Sequence, residues 1–139
     1  GIAAFCGLEG FQVTYTGHTV CDSYPPADSE ELVFAMDAAP GNRLLVLQFM
    51  AENTAMEDRE FNMLDQNVRF QVSVNEGGMD GVLPNLLLDD LSSYKGVIPA
   101  GSSVPLVLIR EVAEAEAAAV TTISLSLRND SASATTLLE

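Results

Sequence analysis

LLVLQFMAEN, residues 44–53, is too apolar for a half-exposed strand and too short for a membrane span. In extended geometry Leu45, Leu47, Phe49 and Ala51 share one unbroken face. Leu44 and Val46 begin the opposite face, which turns polar at Gln48 and Glu52. A strand that is apolar on one whole face and half of the other belongs in the middle of a sheet covered on both sides. The run then stops at Asn53 and enters the polar connection TAMEDREF.

Outward from this strand the dominant rhythm has a period of two. FQVTY (11–15) sets Phe11, Val13 and Tyr15 against Gln12 and Thr14. VRFQVSV (68–74) sets Val68, Phe70, Val72 and Val74 against Arg69, Gln71 and Ser73. ISLSLR (123–128) sets Ile123, Leu125 and Leu127 against Ser124, Ser126 and Arg128. Such alternation marks antiparallel strands with one face on a core and one in water. VPLVLIREV (104–112) is a second central strand with Val104, Leu106, Leu108 and Val112 in phase, and LVFAM (32–36) is a shorter one.

Turn residues separate these runs: YPPAD, APGN, NEGGMDG (75–81) and IPAGSS (98–103). REVAEAEAAAV (110–120) has helix-forming residues but no apolar stripe, and reads as a loop with one helical turn. PNLLLDDLSSY (84–94) fits either a short helix or an irregular strand. The expectation is an all-β chain: one immunoglobulin-like antiparallel β-sandwich of about seven strands over residues 1–139, with 1–9 and 129–139 as loose termini.

A chain of 139 residues with 47% hydrophobic content can bury a core without metal or several disulfides. Twenty acidic side chains against six basic ones leave a net charge of −14, with Lys95 the sole lysine. That charge argues against nucleic acid and against peripheral binding to anionic membranes, and it suits solubility, cationic partners or divalent ions. The chain opens on Gly1 rather than methionine, which fits a removed leader or anchor.

Cys6 and Cys21 are the only cysteines. A bridge between them is the expectation for an extracytoplasmic chain, worth about 3 kcal/mol in the chain-entropy model; two free thiols are the alternative. No Cys-x-x-Cys or histidine cluster points to zinc.

No motif for a reaction stands out, and no catalytic residue is assigned. His18 is the single histidine and lies in YTGHTVC, where a turn beside a strand is expected. A triad would need it as base, but there is no G-x-S-x-G elbow. A His18–Cys21 thiolate pair fails if Cys21 is bridged.

Glu57, Asp58, Glu60, Asp80, Asp89 and Asp90 are the loop carboxylates that would serve calcium or a glycosidase. Their spacing is not that of a calcium loop, and an acidic solvated rim accounts for them. Met36, Met50, Met56, Met63 and Met79 raise Cu(I) binding, with Met56, Met63 and Met79 expected at the surface. Strand methionines are ordinarily core. NEGGMDG carries no phosphate-binding lysine, and NDS (129–131) is a formal glycosylation sequon.

The order of these features resembles the immunoglobulin-like domains of bacterial surface lipoproteins, of the DUF4352 or telokin-like type. The resemblance falls on Asn53 at a strand end, on Phe61, Leu64 and Asp65, and on Ile98, Pro99 and Gly101 before Val104–Val112. It spans roughly residues 32 to 128 and departs from the family pattern at Gln66 and Val112. The resemblance implies an extracytoplasmic binding module, secreted or anchored through a lipidated cysteine upstream, with no catalytic set and no cofactor. Its partner would be an unknown protein or cell-envelope component, with a homodimer through a sheet edge as a further option. The alternative is a metal-binding domain using loop carboxylates or methionines.

Overall fold

The computed structural model describes residues 1–25, 36–83 and 89–139. A one-turn helix α1 (Ile2–Phe5) is followed by β1 (Phe11–Cys21), β2 (Ser23–Tyr24), β3 (Met36–Asp37) and β4 (Asn42–Asn53). Next come β5 (Arg59–Asn62), a 3-10 turn at Leu64–Gln66, β6 (Arg69–Val74), β7 (Asp80–Gly81), β8 (Lys95–Ile98) and β9 (Ser103–Ala113). A single helical turn, α2 (Glu114–Ala117), leads to β10 (Ile123–Arg128) and β11 (Ser133–Leu137).

Two antiparallel sheets form a sandwich, one ordered β1–β4–β9 and the other β11–β10–β6–β7. Two-stranded ribbons β2–β3 and β5–β8 flank them. The architecture is the expected all-β sandwich, with eleven strand segments among the described residues rather than about seven. The surplus is short pieces such as β2, β3 and β7, which show no alternation because two residues cannot display a period.

β4 lies between β1 and β9, with Leu47 opposite both His18 and Leu108. Its inward residues Leu45, Leu47, Phe49 and Ala51 join Phe70, Val72, Leu125 and Leu127 of the facing sheet in the main core. Its outward Leu44 and Val46 pack with Val107 and Ile109 in a second cluster, covered by Cys21, Tyr24, Met36, Ala38 and Leu83. Each fully buried Leu, Ile or Phe contributes about 1.5–3 kcal/mol by leaving water. The excursion after β1 therefore explains the double-faced hydrophobicity of residues 44–47. The expected strand at 32–36 lies outside the described residues except for Met36.

Asn53 is fully buried. Its Nδ2 donates to the carbonyls of Glu57 (2.9 Å) and Ile98 (2.8 Å), and its Oδ1 accepts from Ala55 N–H (2.9 Å). Its own backbone pairs with Ser102 and Gly101. The amide satisfies the chain at the point where β4 leaves its ladder and ties that exit to β8.

The termini are ordered, contrary to expectation. Ile2, Ala3, Cys6 and Leu8 are buried in the main core. Residues 133–137 form β11, paired to β10 with Leu127 opposite Ala134 and Ser124 opposite Leu137. Four apolar side chains at the start supply the burial that holds that end.

Candidate functional site

A sandwich of two open sheets has two seams where sheet edges face each other. β9 and β7 line one seam and β1 and β11 the other. At the first, Arg110 shares the phase of Leu106, Leu108 and Val112 and points inward, only 6% exposed. Its Nη2 donates to Asp80 Oδ2 on β7 (2.8 Å), while Nε and Nη1 have no hydrogen-bond partner among the described residues.

At the second seam Tyr15 O–H donates to Glu139 Oε2, and His18 Nδ1–H donates to the same oxygen (2.6 Å). These two bonds hold the Glu139 carboxyl below the usual carboxylate range, with Tyr15 the larger cause. Burial, then the Glu139 carboxylate, raises the Tyr15 phenol.

A β-bulge makes this pairing. The β1–β4 register slips between Tyr15 and Gly17, leaving Thr16 as the extra residue. Before the slip Val13 and Tyr15 face the main core; after it His18 opposite Leu47 and Val20 opposite Leu45 do. His18 is thus in a strand, not the expected turn, and on the same face as Tyr15.

The same slip sends Cys21 to the outer cluster while Cys6 stays in the main core. Both are free thiols, so the expected Cys6–Cys21 bridge is not formed. A disulfide requires Cα atoms within about 7 Å and converging Cβ vectors, which opposite faces do not offer. Burial pushes the Cys6 thiol up to about 11, and burial is also the main cause raising Cys21. Neither is an activated nucleophile.

The other residues singled out by sequence are not brought together. Asp58 accepts from Ala100 N–H (3.0 Å) and Glu57 from Arg59 Nη2 (3.1 Å). Asp89 accepts from Tyr24 O–H (2.5 Å), and buried Asp90 accepts from the Ser92 N–H and hydroxyl. Glu60 is exposed on β5. Met36 packs in the outer cluster and Met63, expected at the surface, is in the main core. Met50 is half-buried, and only Met56 and Met79 are exposed. Among the described residues no three His, Cys, Asp or Glu side chains converge on one point. No described helix is long and apolar enough to cross a membrane.

What the β1/β11 seam does hold is a groove of about 350 Å³. Ile2 and Phe5 of α1 and Val13 and Tyr15 of β1 line one side. Leu127 and the inward residues Ala134, Thr136 and Leu138 line the other.

The outer border of this groove is the edge of β11, which no other described strand pairs. Leu138 N–H donates to the Ile123 carbonyl (2.8 Å), which fixes the phase. Ala134 and Thr136 therefore bond β10, while Ser133, Thr135 and Leu137 direct their peptide groups away from the sheet. The other edges of the two main sheets are blunted. β1 carries the bulge, β9 is covered by bridges from Leu83 and Asp90, and β7 is two residues long with an aspartate. β11, SATTL, has no charge, no proline and no bulge.

No family model matches the chain, and no curated protein matches it. Two solved structures are similar in fold. One is an uncharacterized beta-sandwich protein from Clostridium difficile 630, 14% identical, with TM-score 0.59 over 94% of this chain and 87% of that one. The other is a conserved hypothetical protein from Bacillus anthracis, 9% identical, with TM-score 0.56 over 94% of this chain and 89% of that one. At these identities the likeness concerns fold alone.

Proposed function

We propose that this chain is a non-catalytic immunoglobulin-like interaction module, akin to the DUF4352 or telokin-like domains. In this reading it acts outside the bacterial cytoplasm as part of a secreted or lipid-anchored protein. The observation that supports it is β11, an unblunted edge of five residues bordering an apolar groove. An extended segment of a protein partner, or β11 of a second copy, adds as a further strand. Its backbone bonds Ser133, Thr135 and Leu137, and its alternate side chains enter the groove.

The test is selection of binders from a displayed random-peptide library, followed by amide-shift mapping. β-prone peptides that perturb residues 133–138 together with Ile2 and Phe5 support the reading. Thr135→Pro removes one outward N–H at a solvent-facing edge position, where proline is tolerated; it should abolish those shifts with little change in Tm. Binders that map elsewhere and ignore this substitution would refute it. No observation favours the metal alternative; titration with Ca²⁺ and Cu(I), read by heat and Tm, checks it. The gene upstream of Gly1 checks the localisation through a signal and lipobox cysteine.

A further inference from the structure

The outward face of the β11–β10–β6–β7 sheet departs from the rest of this acidic chain. Ser124, Ser126 and Arg128 of β10 stand opposite Ser73, Gln71 and Arg69 of β6. On β11 the outward side chains are Ser133, Thr135 and Leu137, and on β7 Gly81 stands beside Gln71. No carboxylate occupies any of these positions, although the chain carries twenty acidic residues against six basic ones.

Arg69 and Arg128 are directly opposed and both are exposed. Opposed side chains on one sheet face lie with Cβ atoms roughly 4.5–5.5 Å apart, and like charges so placed repel. The other basic side chains, Arg43, Arg59, Lys95 and Arg110, each meet a carboxylate. Arg69 and Arg128 form no ion pair among the described residues. Asp130, just beyond β10, instead accepts a hydrogen bond from Asn67 Nδ2 (3.1 Å).

From this opposed arginine pair on a hydroxyl-lined sheet face we infer a second binding site, which takes a phosphate group carried on a polyol or sugar chain. One guanidinium occupies both oxygens of a carboxylate by bidentate pairing. Two adjacent guanidiniums call for an anion with more terminal oxygens, and phosphate has them. The exposed Ser133 and Thr135 hydroxyls, with half-buried Ser124 and Gln71, supply donors and acceptors for neighbouring hydroxyl groups, whereas Ser73 and Ser126 are buried and Ser73 donates to the Gly77 carbonyl (2.7 Å). The face offers a membrane only Leu137 as an apolar side chain, so a lipid surface is the poorer fit. The net charge of −14 opposes this ligand only at a distance, since salt screens it beyond about 8 Å at physiological ionic strength.

The site does not depend on the β11 edge, and one set of titrations separates the two. A synthetic glycerol-phosphate oligomer is added while Arg Nε–H and backbone amide shifts are followed. Shifts are expected at Arg69, Arg128, Gln71 and Ser126, weakening as salt rises. Arg69→Gln and Arg128→Gln should each weaken binding at least fivefold, and the double variant should abolish it. In ligand-free, low-salt buffer each single variant should melt above the wild type, because the repulsion is gone. Leu137→Pro, which removes another outward N–H of the β11 edge but no hydroxyl, should leave the oligomer titration unchanged.

An oligouronate that binds as tightly would replace the phosphate assignment with a general anion patch, and overturn it. Binding only to phosphatidylglycerol vesicles would overturn the polyol assignment in favour of lipid. Shifts that both glutamine variants leave intact, or no shifts at all, would sink the site, whatever becomes of the β11 reading.

Discussion

At the β7/β9 seam a guanidinium 6% exposed reaches across the sandwich to an aspartate on the facing edge. At the β1/β11 seam a phenol and an imidazole meet one carboxylate near solvent, beside an open groove. Both are polar cross-sheet contacts, yet they load the fold differently. A buried charge that loses its partner is stranded in low dielectric, whereas water takes over for a solvated one. The first contact therefore holds its seam shut, and the second can be given up when something enters the groove.

The largest effect expected from this contrast is at Asp80. Asp80→Ala should cost about 2–3 kcal/mol in urea unfolding, below the ~3–5 kcal/mol of a fully buried pair because Asp80 is largely solvated. Arg110→Met in the same background should recover most of that loss, since an apolar side chain of similar size leaves no orphan charge. If Asp80→Ala proves neutral, the two seams are energetically alike and the contrast fails.

Tyr15→Phe should cost about 0.5–1 kcal/mol, the net worth of one ordinary hydrogen bond, while keeping the aromatic packing on Phe49. It should also speed hydrogen exchange at Leu138 and Glu139, and leave exchange at Asp80 and Gly81 unchanged. A loss as large as that of Asp80→Ala would mean that the open seam is as firmly locked as the closed one.

The smallest expected effect is a pH dependence. Glu139 has a folded pKa lowered from 4.5 by Tyr15 and His18. Its stabilising contribution is therefore present above the ordinary carboxylate value and is lost as pH falls through the lower folded value. Wild type and Glu139→Gln should differ in Tm at neutral pH and converge in acid. Curves that stay parallel down to pH 2 would remove Glu139 from the seam.

Much of the sandwich was legible because its strands are long enough to show a period. The runs at 11–15, 44–53, 104–112 and 123–128 lie in strands, as does 68–74 apart from Val68, and the window 110–120 holds one helical turn. The groove was not legible. α1 is four residues, too short for helical periodicity, and every residue of β11 is exposed, so no apolar alternation marks it. Nothing local links Glu139 to Tyr15, 124 residues away. Arg110 did carry a signal, as a charge in phase with Leu106, Leu108 and Val112. The opposed arginines were each visible on outward faces, but their pairing required the β6–β10 register.

The slip at Thr16 makes the chemistry of the groove's rim a matter of counting. A strand that kept every residue but had no bulge would alternate without a break, turning the imidazole outward and bringing the thiol of Cys21 round to the side of Tyr15. Excising Thr16, by contrast, would leave His18 opposite Leu47 and Cys21 opposite Leu44, because Gly17 already faces Gln48. The bulge is thus a spare residue: a one-codon deletion there straightens the strand and keeps the nitrogen base at the rim, whereas a deletion further along β1 would bring another side chain to it.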